Sequence, residues 1–323
     1  MSTDNLFLSQ AGIRYPVIGG PMYPCSNPEL VAAVSNAGGL GIIQPISLTY
    51  VHGYTFVEGL KYIKSLTDKP VGMNLLIEKG SKKYHQRMQL WLDIALEQGV
   101  GFFITSLGKP DWVVKAAHDA GAYVYHDVTE AKWAQKAVDA GVDGLIAVNN
   151  RAGGHAGGLG YDALYDELKQ FALPVVCAGG ISDRDSYQLA LDKGYQAVQL
   201  GTRFIASKEC SASDSYKQAI VKATEKDIVL SERITGVPVS VINTPFIQKW
   251  GLKPNIFERW MLKHPKFKYI IRTFLALKSL RSLKKSLLDD SGDYDYWQAG
   301  KSVDKINAEL SVEDIVKQIA GNK

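Results

Sequence analysis

One pattern recurs along the first two-thirds of the chain: an alanine-rich amphipathic stretch, a glycine, then a short apolar run. It reads AAVSNAGGLGII at 32–43, IALEQGVGFFIT at 94–105, KAAHDAGAYVYH at 115–126, KAVDAGVDGLIAV at 136–148 and LALDKGYQAVQLG at 189–201. A helix closed by glycine, where a positive φ costs little, followed by a strand buried on both faces leaves this signature. Two further apolar runs follow a proline, at 71–76 and 175–178, and 17–20 opens the series. The pattern predicts strands near 17–20, 40–43, 71–76, 101–105, 122–126, 144–148, 174–178 and 196–200.

Eight strands alternating with helices predict an α/β fold, a (β/α)8 TIM barrel. The competing fold, a doubly wound open sheet, calls for a Gly-x-Gly-x-x-Gly turn after the first strand, and the chain has Gly19-Gly20-Pro21-Met22 there. Barrels often grip a phosphate on the loops after strands 7 and 8. Strand 7 runs out into Ala178-Gly179-Gly180-Ile181-Ser182-Asp183, and strand 8 into Gln199-Leu200-Gly201-Thr202-Arg203-Phe204. Glycines at both exits let backbone N–H groups close on phosphate oxygens, and Ser182 or Asp183 is a candidate N-cap for the next helix.

The repeat stops near residue 225. Between Phe246 and Leu288 stand eleven basic residues and one acid, a net +10 against −6 for the remainder. Apolar residues at 267, 270, 271, 274, 277, 280, 283 and 287 form a helical stripe with bases opposite. The expected organisation is a barrel built from 1–225 and 300–323, with 226–299 a helical, basic lid or substrate domain inserted near the C-terminus. No apolar run approaches the ~20 residues that span a bilayer, and no polybasic arm with interleaved aromatics favours nucleic acid. The three cysteines, Cys25, Cys177 and Cys210, lie in no metal-ligand spacing. That points to reduced thiols in a cytoplasmic setting, with no metal site.

The stretch RAGGHAGG (151–158) sets His155 between two glycine pairs just past predicted strand 6, on the face where barrel chemistry sits. Its unperturbed pKa near neutrality suits proton transfer. His52, His85, His118 and His264 fall in predicted helices or polar connections. His126, ending predicted strand 5 beside Asp127, is expected to face the barrel mouth too and is the competitor.

YPVIGGPM (15–22), NAGGLGII (36–43), DKPVGMNLL (68–76), RAGGHAGG (151–158), PVVCAGGISD (174–183), AVQLGTRFIASKEC (197–210) and WQAGKSV (297–303) together resemble the nitronate monooxygenase family, FMN-dependent barrel enzymes once called 2-nitropropane dioxygenases. The resemblance implies FMN contacts from Pro21, Met22, Asn74, Gly153, Gly179, Gly180, Gln199, Leu200, Gly201 and Thr202, and a catalytic His155. It implies oxidation of a small anionic nitronate with O2 to a carbonyl compound and nitrite. Flavin-dependent enoyl-acyl-carrier-protein reductases and NAD(P)H:quinone reductases share the pattern, so use of NAD(P)H stays open. Two positions depart from it. The family commonly has glutamine where Val148 stands, so that polar contact is expected from Asn149 or Asn150. It has glutamate where Arg151 stands, which reverses a charge near the site.

Overall fold

A computed structural model describes residues 5–78, 82–233, 237–254, 281–287 and 296–321. Eight parallel strands close into a barrel in sequence order: β1 (Val17–Gly19), β2 (Leu40–Ile43), β3 (Val71–Ile77), β4 (Phe102–Leu107), β5 (Tyr123–Val128), β6 (Gly144–Val148), β7 (Val175–Ala178) and β8 (Ala197–Leu200). The expected barrel is the observed one. Strands β4 and β5 each run two residues further than the sequence implies, because Ser106 and Asp127 continue the pleat into the rim.

Helices Pro28–Asn36, Phe56–Leu66, Lys82–Glu97, Asp111–Asp119, Ala131–Val138, Tyr161–Leu168 and Arg184–Lys193 follow the first seven strands. The eighth position is filled from far along the chain. After β8 the backbone passes through a short helix, Thr202–Ile205, and a longer one, Asp214–Lys222, before Val312–Ala320 packs between the first and seventh barrel helices. Ser311 caps that last helix by accepting from Asp314 N, and the Glu209 carboxylate accepts from Val312 N at 3.0 and 3.2 Å. A carboxylate at a helix N-terminus satisfies a donor the helix cannot.

The floor of the barrel is sealed. The N-terminal helix Leu6–Ala11, with Asn5 as its cap, pushes Phe7 edge-on against Phe102 and Tyr125, at 5.8 and 5.7 Å between ring centres. Tyr125 fills the lumen and donates its hydroxyl to Gln10 Oε1 at 2.7 Å. Gly144 on β6 makes room for it: a Cβ there would lie 2.3 Å from the ring.

Within 226–299 the described residues open with an antiparallel hairpin, β9 (Ile228–Ser231) and β10 (Val239–Ile242), which the sequence reading did not foresee. Both are short runs rich in β-branched residues. Val239 and Val241 of β10 join Ile247, Leu283 and Tyr296 in a small core of their own. Residues 281–287 are helical, and Lys284 there donates to Tyr50 O and lies over the Tyr50 ring. Most of the expected basic helical stripe, residues 267–280 and Leu288, lies outside the described residues, as does His264.

Candidate active site

Side chains on a barrel strand alternate between the lumen and the outer helices. Ile18, Ile42, Phe102, Ile104, Tyr125, Ile146, Val176 and Ala178 form the lumen core. Val17, Ile43, Met73, Phe103, Val124, Leu145, Cys177 and Val198 pack outward. Continuing that alternation to the C-terminal rim turns Asn74, Ser106, Asp127, Val148 and Gln199 inward. The register agrees: Asn74 pairs with Ile104, Asp127 with Ile146, and Gln199 with Ile18.

The same parity turns His126 away. It is buried on the outer face, its Nδ1 2.8 Å from Thr105 Oγ1, and burial lowers its pKa to about 4. The expectation that His126 faces the mouth is therefore corrected; its neighbour Asp127 takes that place. Burial raises the Asp127 pKa to about 7, against a hydrogen bond from Ser106 that lowers it.

Glycines shape the rim beside β7 and β8. Gly179 and Gly180 have φ of +117° and +82°. A Cβ on Gly179 would sit 2.6 Å from Ala152 N and from Asn149 Oδ1, and one on Gly180 would sit 2.9 Å from Arg151 Cδ. The amides of Gly180 and Ile181 lie beyond Ala178, the last paired residue of β7. Asp183, not Ser182, is the N-cap of the next helix, accepting from Ser186 N. Ser182 instead donates to Ser302 O. Across the rim, Gly201 precedes the helix Thr202–Ile205, whose first N–H groups have no partner within the helix.

The late WQAGKSV motif threads between these loops and clasps them. Gly300 N donates to Thr202 Oγ1 at 2.9 Å, Lys301 N to Arg151 O at 2.9 Å, and Ala299 N to Ser240 O of β10. Gly300 and Gly153 approach so closely that a Cβ on Gly300 would lie 2.7 Å from Gly153 N. Loops after β6, β7 and β8 are thus fixed by residues about a hundred or more positions later, which is why so remote a motif belongs to the pattern.

The residues expected to touch FMN gather around this rim in different ways. Met22 lies over Gly201, its Sδ 3.5 Å from where a Cβ would stand, and Pro21 precedes it in the same loop. Asn74 is buried and donates to Ile104 O at 3.2 Å. Gln199 lies against Gly20, with its Oε1 shielded from solvent and unpartnered among the described residues. Leu200 points its side chain into the outer core, and its carbonyl accepts from Gly20 N, so its side chain is not part of the rim. The Thr202 hydroxyl is committed to the clasp. Gly153 and Gly154 lead into His155 in the loop after β6, with Gly154 bridged to Ser240 of β10. The His155 ring is accessible and has no hydrogen bond to a described residue; the surrounding protein nevertheless desolvates it enough to lower its pKa.

The sequence profile of the family "Nitronate monooxygenase" matches residues 5–322. The chain belongs to the nitronate monooxygenase family. It is an oxidoreductase. A "Probable nitronate monooxygenase" of Staphylococcus saprophyticus is 30% identical over 279 residues, covering 73% of this chain and 78% of that one. A "(3aS,4S,5R,7aS)-5-hydroxy-7a-methyl-1-oxo-octahydro-1H-indene-4-carboxyl-CoA dehydrogenase" of Rhodococcus jostii is 30% identical over 249 residues, covering 76% and 68%. FabK from Thermotoga maritima superposes with a TM-score of 0.80 at 27% identity over 98% of this chain and 95% of that one.

Measured against the nitronate monooxygenase pattern, the two departures have structural answers. Arg151 does not present a bare charge: its guanidinium grips Glu225 with both nitrogens, and Lys301 joins the same carboxylate at 3.2 Å. Asn149 is wholly buried and spends its amide on Gly179 O and Cys177 Sγ, while its Oδ1 accepts from Arg151 N. It shapes the loop and leaves nothing over to replace the polar group lost at Val148; Asn150 is exposed, its backbone N–H donating to Leu159 O. Cys25 packs in the outer core beside Cys210, which raises its thiol pKa, and so stands apart from the lumen. His118 pairs with Asp143 on the surface. Sequence reasoning missed Asp127 and Glu225. No helix among the described residues is long and apolar enough to cross a membrane.

Proposed function

We propose that the protein oxidises small alkyl nitronates with O2, using FMN held at the barrel rim, to give a carbonyl compound and nitrite. The cradle supports FMN on two counts. Glycines 179, 180 and 201 bring backbone amides to the β7 and β8 exits, where barrels take phosphates, and Gln199 keeps an unspent polar atom in the lumen. Gly179, Gly180 and Gly201 would hold the phosphate; Met22, Asn74 and Gln199 would meet the ring. Bound there, FMN supplies the redox chemistry.

The observation that carries the reading is His155, an imidazole with no partner among the described residues, on a clasped glycine loop that follows β6. With its pKa below the usual histidine value, it is neutral near pH 7. A neutral imidazole can take the α-proton from a nitroalkane at one ring nitrogen, and the resulting imidazolium then steadies the anionic nitronate.

A second reading has NAD(P)H as electron donor and an acyl thioester or quinone as acceptor. Its support is the likeness to the Rhodococcus jostii CoA-ester dehydrogenase, and the basic residues Lys249, Lys253, Arg281, Lys284 and Lys285 offer charge for a phosphate-bearing substrate. Anaerobic mixing of the FMN-loaded protein separates the two. Bleaching of the flavin by propionate 3-nitronate but not by NADH or NADPH upholds the oxygenase; rapid bleaching by a reduced nicotinamide alone replaces it with the reductase.

A further inference from the structure

We propose that Asp127 is the charge gate of the barrel mouth: ionised, it opposes negative charge brought to the rim, and protonated, it hydrogen-bonds that charge. The inference rests on the flavin reading above, but not on the nitronate one.

The position comes from the pleat. Tyr125 fills the lumen two residues earlier, and Asp127 pairs in register with Ile146 of the lumen core, so the Asp127 carboxyl projects inward at the end of β5. Its Oδ1 is shielded from solvent and lacks a partner among the described residues. A ligand gripped at the β7 and β8 loops and spanning the mouth would lie over the inward residues of the other strands, Asp127 included.

Among the described residues, none packed against Asp127 provides a counter-charge. On β4 the neighbour is the Ser106 hydroxyl, on β6 Ile146 and Val148, on β3 Asn74 and Leu76. Tyr125 below is bound to Gln10, and His126 faces the opposite side against Thr105. In the loop after β6, Arg151 is tied to Glu225, a carboxylate that Lys301 shares, and His155 is held below its ordinary pKa. Beyond the strand end, Glu130 pairs with Lys132 on the surface. Among the described strand residues facing the lumen, Asp127 is the sole carboxylate and none is cationic. A carboxyl so placed resists ionisation, and burial pushes its pKa up to about 7. In so poorly screened a site a second negative charge is strongly coupled to it. That second charge has two sources, electrons taken up by a bound flavin or an anionic substrate.

The test uses the full chain loaded with FMN, in wild-type form and as Asp127→Asn and Ser106→Ala. Flavin midpoint potentials are measured against reference dyes on both sides of pH 7, and nitrite affinity is read from the flavin absorbance. Above the carboxyl's pKa of about 7, the wild-type potential is expected to be more negative than that of Asp127→Asn, with the two converging below it. Nitrite binding to wild type is expected to weaken about tenfold per pH unit above that point, and to stay flat in Asp127→Asn. Ser106→Ala, which removes the hydroxyl favouring the ionised form, moves the wild-type break to higher pH; a purely structural role for Asp127 would leave it in place. A shift in potential alone assigns the gate to the flavin, and a shift in nitrite affinity alone assigns it to the substrate. Coincident curves for wild type and Asp127→Asn in both measurements overturn the proposal, even in a protein that oxidises nitronates. Diverging curves in a protein inert to nitronates uphold it and remove the nitronate reading, whereas a chain that takes up no FMN overturns both. If Asp127→Asn fails to fold, the wild-type break and its displacement in Ser106→Ala carry the decision.

Discussion

Arg151 holds Glu225 by both prongs of its guanidinium, Nη1 to Oε1 at 3.1 Å and Nη2 to Oε2 at 2.8 Å. The pair joins the histidine-bearing loop after β6 to the turn that leads into the β9–β10 hairpin. Each side chain is about one-third exposed, so solvent screening limits its worth to no more than about 1 kcal/mol. A double-mutant cycle on Arg151→Ala and Glu225→Ala, read by urea unfolding, should return a coupling near the top of that range because the geometry is bidentate. Arg151, then Lys301, holds the Glu225 pKa below the ordinary carboxylate value. A depressed carboxyl stabilises the fold above its unfolded pKa and ceases to as pH falls through its folded one. The coupling should therefore vanish in acid.

Gly179→Ala should do more damage than Gly180→Ala. Both need a left-handed backbone, at about 1–3 kcal/mol of strain for alanine. The added methyl on Gly179 meets the backbone amide of Ala152, whereas on Gly180 it meets the Arg151 side chain, which can swing away. Thermal unfolding together with uptake of added FMN by each variant, read by absorbance, checks the order; equal losses at the two positions would contradict it.

His155→Ala should separate two substrates. Loss of a general base is expected to cut kcat/KM by about 10²–10⁴-fold for a neutral nitroalkane, and much less for its preformed nitronate. Because desolvation lowers the His155 pKa, wild-type activity on the nitroalkane should persist below the usual histidine titration range. Equal losses on both substrates would remove the proton-abstracting role.

Gly144→Ala should destabilise the barrel by about 1–3 kcal/mol through overpacking, since its methyl would enter the Tyr125 ring. Combining it with Tyr125→Leu should recover part of that loss. Chemical unfolding of the four proteins tests the rescue, and strictly additive losses would refute the packing argument.

His126 should make the fold acid-sensitive. Its folded pKa of about 4 lies below the ordinary histidine value, so the unfolded chain binds the extra proton first. Stability should therefore fall as pH drops from the usual histidine range towards 4. In His126→Asn, which keeps a polar partner for Thr105, that part of the pH dependence should flatten.

The strands were legible because most stand between a helix-ending glycine and a turn, three follow a proline instead, and a buried parallel strand is apolar along its whole length. That uniformity also hid which residues face inward. In the run YVYHDV both faces of the strand are covered, so nothing in the letters tells His126 from Asp127; only the register with β4 and β6 does. The glycine loops and His155 could be read from their neighbours in sequence. Glu225 could not, because its tie to Arg151 spans 74 positions. The hairpin was obscured by its brevity, two runs of four residues beside a long basic stretch.

The interlock of Gly154 with Ser240, and of Arg151 with Lys301, sets an order of events during synthesis. All eight staves leave the ribosome before either fastener exists, so a nascent chain can close its barrel while the histidine loop is still unpinned. Binding competence should arrive late and abruptly, once Ser240 and Lys301 have both emerged.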